Sequence, residues 1–269
     1  MYKYKRVCSL LLSFLLLLAM QPSFAFTLQG DSAQKGRSIA QESDNRDQGW
    51  HDSQVVMIMT LRNKKGDQSQ RQLRLKSLEV KGDGDKGLTI FDSPRDVKGT
   101  GFMNYSHIHK PDDQWLYLPA LKRIKRISSK NKSGPFMGSE FSYEDLSSFE
   151  VEKYSYKYLA DETVNGEAAY KVEMTPVYKH SGYSKITAWL DKQEFRVQRL
   201  EYFDRKGSLL KTQTLSDYNQ YLGQFWRAHT NMMVNHQTHK TTKLEFKDYQ
   251  FKTGLSDAQF SKNALKRIR

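Results

Sequence analysis

The seven histidines are the side chains best suited to metal or proton chemistry in this 269-residue sequence. His107-x-His109 has a metal-like spacing, yet no third histidine, cysteine or HExxH pair stands near it. His229, His236 and His239 are scattered through a polar stretch with Asn231, Asn235 and Gln237. There is no Gly-x-Ser-x-Gly elbow, and the lone cysteine, Cys8, lies near the N-terminus. Acidic residues are plentiful but form no recognisable substrate motif. These observations give no metal site, no cofactor and no catalytic residue. A lipid-modifying hydrolase built on the scattered histidines and acids is the weakest reading.

The apolar residues carry more information. Met57, Met59, Leu73, Leu75, Leu116, Leu118, Val172, Met174, Ile186, Leu190, Leu244 and Phe246 fall on the more apolar face of successive period-two segments. Such a face either packs as an ordinary core or lines a hollow for hydrocarbon, and strand parity does not separate the two. The methionines suit a variable hydrocarbon guest, because thioether side chains are flexible and polarizable. Phe136, Met137 and Phe141 sit on a glycine-bearing stretch, Gly134–Phe141, as a lid or gate or as a loop tucked onto the core. Lys122, Arg123, Lys125 and Arg126 crowd into Leu121–Ile127. That run is either a solvated face or a landing patch for anionic headgroups or an acidic partner.

Positioning these residues requires strands. Alternation begins at Val55-x-Met57-x-Met59-x-Leu61 and recurs at Leu73-x-Leu75, Tyr154-x-Tyr156-x-Tyr158, Tyr170-x-Val172-x-Met174, Ile186-x-Ala188-x-Leu190 and Leu244-x-Phe246. Asn165-Gly166 and Asp204-Arg205-Lys206-Gly207 read as hairpin turns. Asp113–Ala120 sets aromatics on one face and leucines on the other, so both of its faces need cover. Phe91–Phe102 joins two strands, with Pro94 barred from a central ladder position and Gly99 and Gly101 permitting a bend. Helical signals are few: residues 31–48 behind an Asp-Ser cap, 142–148, and 256–268. No helix-sized apolar stripe separates the strands, which excludes parallel βαβ units. The expected fold is therefore mainly β: one curved antiparallel sheet of about ten or eleven strands, an open half-barrel covered by a small helical lid. Residues 26–269 are expected to form a single unit.

The N-terminus explains where such a protein would work. Lys3, Lys5 and Arg6 precede an apolar run over Val7–Met20, then Pro22 and a small-x-small site ending at Ala25. Residues 1–25 thus read as a signal peptide cleaved after Ala25. The run is shorter than the roughly 20 residues of a membrane span. Cys8 lies ahead of the run, so it is not a lipoprotein acylation site. With 43 Lys+Arg against 30 Asp+Glu the chain is basic, at +13, and its mean hydropathy of -0.75 excludes a multispanning helical membrane protein. An exported, basic chain without a mature cysteine points to the periplasm, where nucleic acid is no partner and anionic lipid is.

Four blocks together resemble a known family: Phe91-x-x-Pro94-x-Asp96-Val97-Lys98-Gly99-Thr100, Gln114–Ala120, Arg126-Ile127-Ser128, and Phe136–Leu146. In order and spacing they are similar to the outer-membrane lipoprotein-sorting (LolA-like) family, specifically its longer periplasmic branch often associated with resistance-nodulation-division type lipid exporters. The resemblance implies an open β half-barrel closed by helices that shelters acyl chains, a carrier rather than an enzyme, with such a transporter as partner. It also implies a gating arginine that locks the lid, at a position no short motif fixes. The resulting expectation is a monomeric periplasmic carrier of lipid or lipoprotein acyl chains. The alternative is a non-carrier accessory protein that docks on a transporter or anionic membrane through residues 121–132.

Overall fold

The computed structural model describes residues 26–268, so the signal-peptide reading of residues 1–25 lies outside it. Thirteen strands form one antiparallel sheet, rather than the ten or eleven expected. They are β1 (Asp52–Arg62), β2 (Gln68–Leu78), β3 (Lys86–Ser93), β4 (Gly101–Tyr105), β5 (Asp113–Leu118), β6 (Arg123–Ile127) and β7 (Tyr154–Val164). After these come β8 (Glu167–Pro176), β9 (Tyr183–Asp191), β10 (Val197–Asp204), β11 (Leu209–Tyr221), β12 (Phe225–Asn235) and β13 (Thr241–Phe251). The additional strands include β6, which is the basic run at a sheet edge, and β12, whose polar residues break the apolar alternation.

The strand order is β6-β5-β4-β3-β2-β1-β13-β12-β11-β10-β9-β8-β7. The chain therefore walks from the centre to one edge, crosses to the other edge, and walks back until β13 pairs with β1. Short turns suffice for each step. At β7–β8, Asn165 and Gly166 both take positive φ, as a type I′ hairpin requires. The one long connection, residues 128–153 between β6 and β7, joins opposite edges. It must cross a face of the sheet, and it does so as an irregular strap with short 3₁₀ turns at Phe136–Gly138, Glu144–Leu146 and Val151–Lys153. The helix expected at 142–148 is only the middle one of these turns.

The strap's contacts follow the strand order. Phe136 packs against Phe91 of β3 and Phe102 of β4, with ring centroids 5.8 and 5.2 Å away. Arg71 of β2 donates from Nη1 to the Met137 carbonyl at 2.6 Å. The Glu140 amide donates to Thr242 Oγ1 of β13 at 3.0 Å, and Asn235 Nδ2 of β12 donates to Glu140 Oε2 at 2.7 Å. Lys211 Nζ of β11 bonds the Glu140 carbonyl at 2.9 Å and Asp145 Oδ2 at 2.5 Å. Tyr183 of β9 donates to Asp145 Oδ1 at 2.6 Å.

Helix α1 (Ser32–Arg46) covers the far part of the same face. Asp31 Oδ1 accepts from the amides of Ala33 and Gln34, and the Gln34 side chain accepts from the Asp31 amide, a reciprocal cap. Gly36 lets the helix lie against β7: a Cβ there would stand 2.8 Å from the Tyr158 backbone nitrogen. Ile39 and Ala40 are the buried part of its thin apolar face. Helix α2 (Lys262–Lys266) covers the opposite face of the sheet. Leu265 and Phe260 pack there with Leu88, Ile90, Met103 and Trp115 in a second core. Trp115 belongs to this outer core and Leu116 to the inner one, which accounts for a strand apolar on both sides.

Candidate functional site

Strap and helix do not meet over the whole inner face. Between them lies a cavity of about 1000 Å³, at the upper end of the ~300–1,000 Å³ typical of small-molecule sites. Its floor is built from matched rungs of three strands. Val172 of β8 pairs with Ala188 of β9, which pairs with Leu200 of β10, and Met174, Ile186 and Tyr202 form the next rung. Leu190 and Val197 continue the apolar lining, and Ala40 of α1 faces it from above.

The mouth differs in kind from the floor. Ten carboxylates line the cavity against three lysines, although the protein as a whole is basic. Burial, reinforced by Glu150, Glu79 and Asp47, pushes the Asp85 carboxyl up to about 7. Burial also raises Glu150 and Asp44. Asp83 goes the other way: against the cost of burial, the bond to His107 and the amides of Ile108 and Gly84 hold it at about 2. A carboxyl whose folded pKa exceeds its unfolded value, ~3.9, makes the folded state the better proton binder. Its stabilisation is present at low pH and is lost as pH rises through about 7. Replacing Asp85 with Asn is therefore expected to flatten the decline in urea midpoint between about pH 4 and 7, as followed by intrinsic fluorescence.

The residues singled out from the sequence divide into groups. Val172, Met174, Ile186 and Leu190 line this cavity. Met57, Met59, Leu73, Leu116 and Leu244 are buried in the inner core, and Leu75 and Leu118 pack at its margin. Phe246 lines a second, smaller hollow. Phe136 and Phe141 are buried within the strap, with Met137 packed beside them. Lys122, Arg123, Lys125 and Arg126 are exposed at the β6 edge, where Arg126 pairs with Asp113. Ala188, Leu200 and Tyr202 are not among the lining residues read from the sequence; Ala188 and Tyr202 are cross-strand neighbours of the selected Val172 and Ile186, and Leu200 pairs with Ala188. His107 is a structural clasp, with Nδ1 2.7 Å from Asp83 and Nε2 3.4 Å from Asp113, while His109 is exposed. Among the described residues no cluster of three or more His, Cys, Asp or Glu could hold a metal ion.

Known proteins share this architecture. A structure from Vibrio parahaemolyticus, named as a candidate outer membrane lipoprotein-sorting protein domain, is 60% identical with a TM-score of 0.86. The match covers 87% of this chain and 100% of that one. The chain belongs to the LolA-like lipoprotein-sorting family. A DUF1329 family protein from Desulfovibrio piger is similar to this LolA-like chain at 29% identity and a TM-score of 0.83, covering 88% of this chain and all of that one. A LolA superfamily protein from Nitrosomonas europaea shares the fold, at 19% identity and a TM-score of 0.69 over 87% of this chain and 100% of its own. A family model described as that of an uncharacterized protein matches residues 83–267. No curated protein matches the chain.

In this LolA-like protein two cationic side chains hold the strap to the inner face. Arg71 lies over the Phe91 ring and bonds the Met137 carbonyl. Lys211 and Asp145 form an ion pair whose side chains are 4% and 3% exposed. The second pair stands at the cavity edge, because Asp145, Tyr183 and Tyr202 are themselves lining residues.

Proposed function

We propose that this protein is a periplasmic carrier that shelters the acyl chains of a lipid or lipoprotein in the cavity beneath α1 and the strap. The observation that carries the reading is the cavity itself: three strands present aliphatic rungs to a hollow that α1 and the strap leave unfilled. Each methylene moved out of water is worth ~0.8 kcal/mol, so a tail crossing an aqueous compartment needs such a shelter. Release follows from motion of the strap or from an acceptor that competes for the tail. Arg71 is the residue we assign to the gating role, since it ties a rigid strand to the strap backbone. No chemical step is required of the protein, and we read it as neither enzyme nor cofactor binder. It would work as a monomer alongside an inner-membrane transporter of the resistance-nodulation-division type.

Mass spectrometry of an organic extract of the protein purified from the periplasm tests this. An acyl lipid close to one per protein supports the carrier. A lipid-free protein that also takes up no added fatty acid would favour the accessory role. The basic edge supplies the docking step in either case. Lys122, Arg123 and Lys125 stand exposed beside Leu121, itself 63% exposed. Reversing the charge of Lys122, Arg123, Lys125 and Arg126 together is expected to weaken sedimentation with anionic vesicles by about tenfold or more at low salt, at ~1 kcal/mol per cation near the surface. Unchanged sedimentation would leave the run as a solvated face.

A further inference from the structure

The hollow under α1 has a second compartment of different chemistry. It is an open depression of about 580 Å³ that shares Ser43, Asp47 and Val197 with the larger cavity, so the two abut beneath the C-terminal end of α1. Its walls are aromatic and cationic. Arg196 lies over the rings of Trp226 and Tyr218, 4.6 and 5.2 Å from their centroids, and Arg46 lies 4.5 Å from that of Phe195. Arg227 completes three guanidinium groups, each already paired with a carboxylate (Arg227 with Asp47, Arg46 with Glu42 and Glu194, Arg196 with Asp191) and each keeping further N–H donors. Arg196 Nε donates to Asp191, which leaves its Nη groups as further donors.

Two polar atoms of this compartment lack a hydrogen-bond partner in the protein. They are the Trp226 indole nitrogen, a donor, and the Asn231 side-chain oxygen, an acceptor, both shielded from solvent. Leaving such groups unpaired costs about 1–3 kcal/mol each, so native structures seldom do so without a reason. Both atoms are closed to water in this arrangement, so a headgroup offering an anionic oxygen and a hydroxyl would pair with them once the neighbouring side chains give way, with the guanidinium groups adding charge-assisted bonds. The larger cavity supplies the rest of the argument. Carboxylates outnumber lysines along that mouth even though Asp112, Asp145, Asp47 and Glu152 are paired with cations, which makes it the poorer place for an anionic head, while its floor borders a hydrocarbon tail.

We infer that the carrier takes an anionic phosphate amphiphile, tail in the larger cavity and phosphate-bearing head in the Trp226–Asn231–Arg196 compartment. This rests on the carrier reading and adds the class of head.

Binding of three C12 probes to the purified protein, below their micelle concentrations, tests it by calorimetry: lauroyl-glycerol phosphate, lauroyl glycerol and lauroylcholine. The phosphate is expected to bind about tenfold more tightly than the uncharged ester, as one or two charged hydrogen bonds would give, and lauroylcholine no more tightly than the ester. Trp226→Phe, which keeps the ring and removes the donor, and Arg46→Gln should each shrink that preference. Thermal melting shows that the variants fold. Inorganic phosphate, lacking a tail, should not displace the phosphate probe. Equal affinity for the phosphate and the uncharged ester would overturn the inference while sparing the carrier. So would tighter binding of lauroylcholine, a preference untouched in both variants, or displacement by inorganic phosphate. Failure of every probe to bind would remove the carrier reading and this inference with it.

Discussion

Replacing Ala188 with Trp is expected to weaken acyl-chain uptake about a hundredfold while leaving the protein folded. Ala188 is the middle of the Val172–Ala188–Leu200 rung, at the centre of the cavity floor. Ala188 itself is 1% exposed, so an indole there must push between its rung neighbours to reach the hollow they border. In a filled core the same change would overpack and destabilise by about 1–3 kcal/mol. Here the ring stands where hydrocarbon would lie. Displacing about four methylenes removes ~3 kcal/mol of transfer free energy, which corresponds to roughly a hundredfold loss of affinity. Displacement of a fluorescent fatty acid measures the loss, and thermal melting shows whether the fold persists. Full affinity in a folded variant would place the tail elsewhere.

The largest effect on stability is expected from Lys211→Met. Lys211 and Asp145 are nearly inaccessible, and the lysine also bonds the Glu140 carbonyl. Removing the cation leaves Asp145 buried beside Tyr183, with Tyr202 also close by, without its counter-charge. Breaking a buried pair from one side typically costs about 3–5 kcal/mol. The double variant Lys211→Met with Asp145→Asn removes the stranded charge and should recover a substantial part of the loss in urea titrations. Because this pair fixes the strap to β11, the single variant should also be cut faster by protease within residues 134–147. A single variant as stable as the parent, with an uncut strap, would show that the pair does not hold the strap.

Period-two alternation in the sequence located β1, β8, β9 and β13 and identified which face of each is apolar. It could not reveal what covers that face. Val172, Met174, Ile186 and Leu190 share their parity pattern with Met57, Met59, Leu73 and Leu244, and all eight are buried in one inner core, yet only the first four also border the hollow. The difference arises from the crossing of residues 128–153, whose path is dictated by β6 and β7 lying at opposite edges. Local residue patterns carry no record of which edges a chain must join. The strap's apolar residues were legible, and its lack of helix was not, because its backbone is held by side chains from distant strands such as Arg71 and Lys211.

The strands that escaped the pattern are informative for the same reason. β6 is basic because it is an exposed edge, where charge also discourages pairing with another chain. β12 interrupts its apolar face with Asn231 and Asn235, which read as loop chemistry in sequence. In the fold Asn235 holds the strap through Glu140, and Asn231 faces the second compartment. Local rules fail where the inner face is given over to polar work.

The central claim is that hydrocarbon occupies one part of the inner face and not the rest. Methyl spectra of the protein recorded with a fatty acid bearing a nitroxide near its chain end measure this directly. Strong relaxation is predicted for the methyls of Val172, Met174, Ile186 and Leu190, with those of Leu88, Met103 and Leu265 on the outer face unaffected. Relaxation confined to that outer face, or absent from every methyl at saturating fatty acid, would contradict the account.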